Sequence, residues 1–205
     1  MGENYELIKY LWQNLFVENL QDNPLAFDGA SNKDLLLPRL IELPSLPTSF
    51  LEIGPWYNPW VKSMIGKREI HRVHLSDPIY KTRGMPRPEN IGINPEILSA
   101  DKFGLPELLD LLPDLGLGET TLVFANILNY VDGGDVASLL AEVSGIYSPQ
   151  VVVIGNNFNA TLGHGYVNRI KSPEILKELL VSRKFQQVFE EFDDEILAGI
   201  YQREK

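Results

Sequence analysis

The chain has 205 residues, no cysteine and a net charge of −10, which excludes disulfides, thiolate metal sites and a cysteine nucleophile and sets the molecule as a whole against a nucleic-acid backbone. Hydrophobic residues at 44% and charged residues at 22% balance as in a globular protein, so one core and one domain over 1–205 are expected rather than disorder. The longest apolar runs, 121–128 and 151–154, fall far short of the roughly 20 residues that span a bilayer, and the opening Met-Gly-Glu-Asn-Tyr lacks a basic secretory start, so no membrane and a cytoplasmic setting are expected.

Residues 4–20 place Leu7, Ile8, Leu11, Trp12, Leu15 and Phe16 at three- and four-residue spacings, which predicts an amphipathic helix that packs on the surface or lids a site. Pro38, Pro44 and Pro47 then mark a connection completing an N-terminal segment over 1–48. Residues 49–54 read as a short buried strand ended by Gly54, and Asn58-Pro59-Trp60 suits a helix start with Asn58 as cap. A second strand over 71–75 is stopped by Pro78, leaving Asp77 at its carboxyl end. The stretch 79–96, rich in Pro, Gly, Arg and Asn, is expected as a flap beside a pocket. Residues 97–99 form a third strand, followed by Asp101 and a helix through Leu105, Leu108, Leu109 and Leu112 that Pro113 closes.

The β-prone run 120–131 precedes Val136, Leu139, Leu140 and Val143 at helical spacing, and a fifth strand covers 150–155. Ser172-Pro173-Glu174 opens a further helix, with serine as cap and proline in the first turn. Residues 185–192 and 196–202 close the pattern as adjacent antiparallel strands. Strands alternating with helices imply an α/β, doubly wound, mostly parallel seven-stranded sheet with an antiparallel C-terminal strand and an N-terminal helix.

Ligands of such sheets bind beyond the carboxyl ends of the strands, which puts Gly54, Asp77, Asp101, Asn126 and Asn156 on one rim. A glycine after the first strand lets a ligand approach the backbone, and an acidic residue after the second can accept hydrogen bonds from ribose hydroxyls. Asp77 follows Gly54 by 23 residues, close to the approximately 20 of a dinucleotide fingerprint. The next glycine after Gly54 is Gly66, however, so no G-x-G-x-x-G seats a pyrophosphate and a cofactor without one is favoured.

Phe50-Leu51-Glu52-Ile53-Gly54-Pro55, Leu75-Ser76-Asp77, Ser99-Ala100-Asp101 with Leu105-Pro106, the segment from Phe124 through Asn126 to Asp132, and the terminal strand pair occur in that order. Across roughly residues 49–204 this succession resembles the class I S-adenosylmethionine-dependent methyltransferase family. The resemblance implies S-adenosylmethionine as cofactor, with S-adenosylhomocysteine as product and a small-molecule methyl acceptor. It also implies roles: Glu52 orients the first loop or meets the cofactor's amino group, Asp77 binds ribose, Ile79 touches adenine, Asp101 bonds the adenine amino group, and Asn126 faces the methionine part. Pro55-Trp56-Tyr57 departs from the family's further glycines; Trp56 either points away, stacks on the ligand or blocks the pocket.

Each candidate also has a plainer role. Asp77 can simply start an Asp-Pro turn, Asp101 can cap the helix after it, and Trp56, Tyr57 and Trp60 can be core aromatics. Asn156, Asn157 and Asn159 can satisfy their amides in turns, His71 and His74 flank a strand, and Lys62, Lys67, Arg68 and Arg72 read as a solvated basic face. For an oxygen nucleophile, His164, Tyr130 and Tyr166 are the candidate bases; an uncharged amine needs none. No metal site is expected, since there is no cysteine and no paired histidine ligand, and no motif specifies an oligomeric state. The rival reading is a methyltransferase-like binding or scaffold domain that has lost its cofactor.

Overall fold

The structure, a computed structural model, describes residues 30–55, 59–77, 80, 91–101, 105–128, 131–141, 146–157, 170, 172–192 and 196–205, with the backbone alone for Ala30, Ser31 and Asp101. The helix expected over 4–20 lies outside these residues, as does most of the 79–96 flap. The elements run α1 (Ala30–Glu42), β1 (Ser49–Ile53), a single 3₁₀ turn (Val61–Met64), β2 (Arg72–Ser76), β3 (Leu98–Asp101), α2 (Leu105–Leu115), β4 (Gly118–Ala125), α3 (Gly133–Leu140), β5 (Tyr147–Asn157), α4 (Pro173–Ser182), β6 (Phe185–Phe192) and β7 (Ile196–Arg203).

The seven strands form one sheet in the order β3-β2-β1-β4-β5-β7-β6. β7 alone is antiparallel, pairing that way with both β5 and β6. Side chains alternate across the sheet, so each strand feeds two cores. Leu51, Ile53, Leu122, Phe124, Val152 and Ile154 face α2, α3 and α4, whereas Phe50, Val73, Val123 and Val153 face α1 and the 3₁₀ turn. Both faces are thus covered, so β1 and the middle of β5 are buried throughout.

Local chemistry accounts for several of the boundaries. Ser172 caps α4 by accepting the Ile175 N–H, with Pro173 at the first position, as the sequence predicts. Asp132 caps α3 by accepting the Gly134 N–H at 2.7 Å. β4 ends at Ala125 rather than running to residue 131, because Asn126 turns the backbone to φ 55°, a left-handed geometry that asparagine tolerates. Pro149 lies inside β5, and the β4–β5 register shifts just beyond it, so the ladder absorbs a residue that has no N–H to give.

Other expectations are corrected. The stretch containing Pro38 is a helix, not a connection: Leu36, Leu37 and Leu40 bury one side of α1 against the sheet, each full burial contributing roughly 1.5–3 kcal/mol and outweighing one lost helical hydrogen bond. Its carboxyl end is capped from outside by Arg68, which donates to the carbonyls of Ile41 (3.1 Å) and Leu43 (3.0 Å). The helix expected after Asn58-Pro59 is only the Val61–Met64 turn, ended before Gly66 at φ +82°. Pro113 does not close α2, which continues to Leu115, and Asp101 is the last residue of β3 rather than a residue after it.

Candidate functional site

The chain winds outward from β1 to β2 and β3, then returns to β4 on the other side of β1, so the carboxyl ends of β1 and β4 flank the switch point of the sheet. Gly54 leaves β1 there at φ +71°, and its N–H continues the ladder to the Ser76 carbonyl at 3.0 Å. The conformation favours glycine, and a Cβ there would lie 2.8 Å from Ile127 Cδ1, so the Ile127 side chain would have to shift. Gly54 and Ala125, Asn126 and Ile127 are half-buried, in contrast to the fully covered strands beneath them.

Glu52 lies in β1 one residue before the last and is fully buried on the α1 side of the sheet. Its two oxygens accept the backbone N–H groups of Trp60 (2.7 Å) and Val61 (3.1 Å), which ties the start of the 3₁₀ turn to the strand. Burial pushes its carboxyl up to about 7, against the lowering effect of those two N–H groups and of Lys33; Asp77 adds to the rise. Lys33 itself is buried near the start of α1. Asp77, buried at the end of β2, also accepts the Tyr80 N–H through its carbonyl at 3.1 Å, so it opens a turn while its residue stays on the rim.

The ends of β4 and β5 are stitched together by asparagines. The Asn126 N–H donates to the Gly155 carbonyl at 2.7 Å and its Oδ1 accepts the Asn157 N–H at 3.2 Å. One residue on, the buried Asn156 Oδ1 accepts the Leu128 N–H at 3.1 Å. Residues 126–128 are therefore held against β5 beyond the last strand pairing of β4. Gly155 meets the Trp60 ring, which a Cβ at that position would penetrate, and the same Cβ would fall 2.9 Å from Cβ of Asn32. Trp60 is thus a core aromatic.

The structure therefore brings Glu52, Gly54, Asp77 and Asn126 to one end of the sheet, together with the buried Pro55 and the backbone of Asp101, whose residue pairs with Ser76. Trp56, Ile79, Tyr130, His164 and Tyr166 lie outside the described residues. Three contributors were not anticipated from sequence: Asn32 and Lys33, concealed with the rest of α1 by Pro38, and Ile127, which packs on Gly54. The helical spacing of Leu36, Leu40 and Leu43 was the available signal for α1. Among the described residues, no cluster of three His, Asp or Glu side chains could hold a metal ion, and no helix is long and apolar enough to cross a membrane.

No protein-family model matches the chain, and no curated protein matches it in sequence. Solved structures do match. The 1,6-didemethyltoxoflavin-N1-methyltransferase of Burkholderia thailandensis, whose crystal structure contains 1,6-didemethyltoxoflavin and S-adenosylhomocysteine, aligns with a TM-score of 0.63 at 14% identity over 100% of this chain and 92% of that one. The N-methyltransferase NodS of Bradyrhizobium japonicum aligns at 0.60 and 15% identity over 91% of this chain and 100% of its own. A SAM-dependent methyltransferase of Leishmania major aligns at 0.63 and 13% identity over 97% and 82%. The chain has the Rossmann-like fold of class I S-adenosylmethionine-dependent methyltransferases.

Proposed function

We propose that the chain, acting as one domain, binds S-adenosylmethionine across the carboxyl ends of β1, β2 and β4 and transfers its methyl group to a small-molecule acceptor. The observation that carries this reading is the pairing of Gly54, turned to φ +71° at the switch point, with the acidic Asp77 at the end of the neighbouring strand. A ligand with an apolar body and a ribose diol suits that pairing: Ile127, packed on Gly54, offers an apolar wall, and the Asp77 carboxylate can accept two hydroxyls. A pyrophosphate does not suit it, because buried Pro55 follows Gly54 where a dinucleotide loop needs further donors.

When bound, such a cofactor supplies a methyl group on a positively charged sulfur, open to in-line displacement by an oxygen or nitrogen of the acceptor. The protein's task is then to orient two reactants and exclude water. Gly54 and Asp77 hold one of them; Asn126 and the 126–128 segment, fixed to β5, form a stationary floor on the methionine side. Asp101, Ile79 and Trp56 belong to the adenine side and the first loop in this reading, and His164, Tyr130 and Tyr166 are the side chains proposed to take a proton from a hydroxyl acceptor. The methyltransferase of Burkholderia thailandensis, with its bound 1,6-didemethyltoxoflavin, supports a small acceptor.

Calorimetric titration with S-adenosylmethionine and S-adenosylhomocysteine tests this directly. Micromolar binding that weakens at least tenfold in Asp77→Ala is expected; absence of binding at about millimolar ligand would instead assign a non-catalytic domain that keeps the fold.

A further inference from the structure

The β4 ladder ends at Ala125, and the backbone of residues 126–128 finds its partners on β5 instead. The Gly155 carbonyl accepts the Asn126 N–H at 2.7 Å, and Asn126 Oδ1 accepts the Asn157 N–H at 3.2 Å. Asn156 Oδ1 accepts the Leu128 N–H at 3.1 Å. Asn156 is fully buried, where an amide is costly unless it is bonded, and the Leu128 side chain is fully buried in the core beneath α2, α3 and α4. Ile127, between these two ties, therefore has its main chain fastened on both sides, and its branched Cβ restricts χ1.

That side chain lies on the glycine of the switch point. Cδ1 and Cβ of Ile127 are 2.8 and 3.2 Å from where a Cβ of Gly54 would stand. Gly54 is fixed in turn, because its N–H is bonded to the Ser76 carbonyl and β1 is paired on both sides, with β2 and with β4. The space between the carboxyl ends of β1 and β4 is thus bounded by one half-buried apolar side chain that β5 holds in place.

We propose that Ile127 is a specificity-determining residue and Asn156 its positioning residue: Asn156, with Asn126, holds Ile127 on Gly54, and the Ile127 side chain then limits the size of the group that can lie between the ends of β1 and β4. In the cofactor reading above, on which this consequence rests, the methionine part lies beside Asn126, so Ile127 restricts the alkyl group on sulfur to the size of a methyl. One further methylene meets a wall whose backbone cannot retreat.

Two measurements test this, and the first needs no ligand. In the full chain labelled with ¹³C at isoleucine δ1 methyls, with Ile127→Val identifying the resonance, an NMR cross-peak between the Ile127 methyl and the Gly54 α protons is expected. It should weaken in Asn156→Ala and persist in Asn156→Asp, which keeps an acceptor oxygen. A native chain without the cross-peak would overturn the proposal, even if Asn156→Ala fails to fold. The second is calorimetric titration with S-adenosylmethionine and S-adenosylethionine. The ethyl compound should bind the native chain roughly tenfold or more weakly, and Ile127→Ala should bring the two within about threefold. The same preference in both proteins would overturn the size limit. Absence of binding by both ligands counts against the cofactor reading alone, and the cross-peak then decides whether Asn156 holds Ile127 on Gly54.

Discussion

Glu52 and Trp60 are joined across the base of the candidate pocket by a 2.7 Å bond between the carboxylate of a fully buried strand residue and the backbone N–H of a residue eight positions later. A strand side chain thereby replaces what is usually loop-internal bonding. The arrangement has a thermodynamic signature, because the carboxyl titrates at about 7 in the folded chain, against 4.5 for an ordinary glutamate in water.

The sign follows from linkage. A folded value above the unfolded one means that the folded state binds the extra proton between those two pH values, so Glu52's contribution to stability is fully present below about 4.5 and is lost as pH rises through about 7. The loss is on the order of 3 kcal/mol. Urea denaturation of the native chain and of Glu52→Gln at a series of pH values should give a stability difference that moves in favour of Glu52→Gln on going from pH ~5 to pH ~8, by that order. A difference independent of pH would mean that the carboxyl is not buried in solution.

Gly54→Ala places a methyl against Ile127 and forces φ +71° on a residue with a Cβ. A loss of about 1–3 kcal/mol is expected from the two together. Adding Ile127→Ala should recover the steric part and leave the conformational part, so the double variant should be more stable than the sum of the single changes requires. Strict additivity in thermal or urea unfolding would show that the two side chains do not meet.

Asn156→Ala removes the acceptor of the buried Leu128 N–H. Leaving that donor without its partner should cost about 1–3 kcal/mol and should speed hydrogen exchange at Leu128. Unaltered exchange there would mean that the 126–128 segment is held by something else.

The sequence discloses the sheet readily because its strands are bounded by residues with local meaning: Gly54 at the end of β1, Pro78 beyond β2, and the Ser172-Pro173 opening of α4. Asp77 and Asn126 are placed on the rim by the same punctuation. What local chemistry does not disclose is tertiary compensation. Pro38 should interrupt a helix, yet α1 forms because Leu36, Leu37 and Leu40 bury themselves on the sheet and Arg68, 27 residues from Ile41, caps its end. The helix expected after Asn58 shrinks to one turn, whose entry is fixed by Glu52 from an adjacent strand rather than by a local cap. Asn32 could be linked to this end of the sheet only once α1 was seen to cross β5 at Gly155.

The order of β7 in the sheet bears on how the molecule comes into being. β6 precedes β7 along the chain but lies outside it, with no pairing to β5. During synthesis, β6 can leave the ribosome and still have no neighbour except β7, while the edge of β5, eleven residues long with Val151–Ile154 at its centre, waits for Ile196–Arg203 to insert. The nascent chain must therefore carry an unsealed strand edge until 196–203 has emerged, the kind of surface on which chaperones act and aggregates begin.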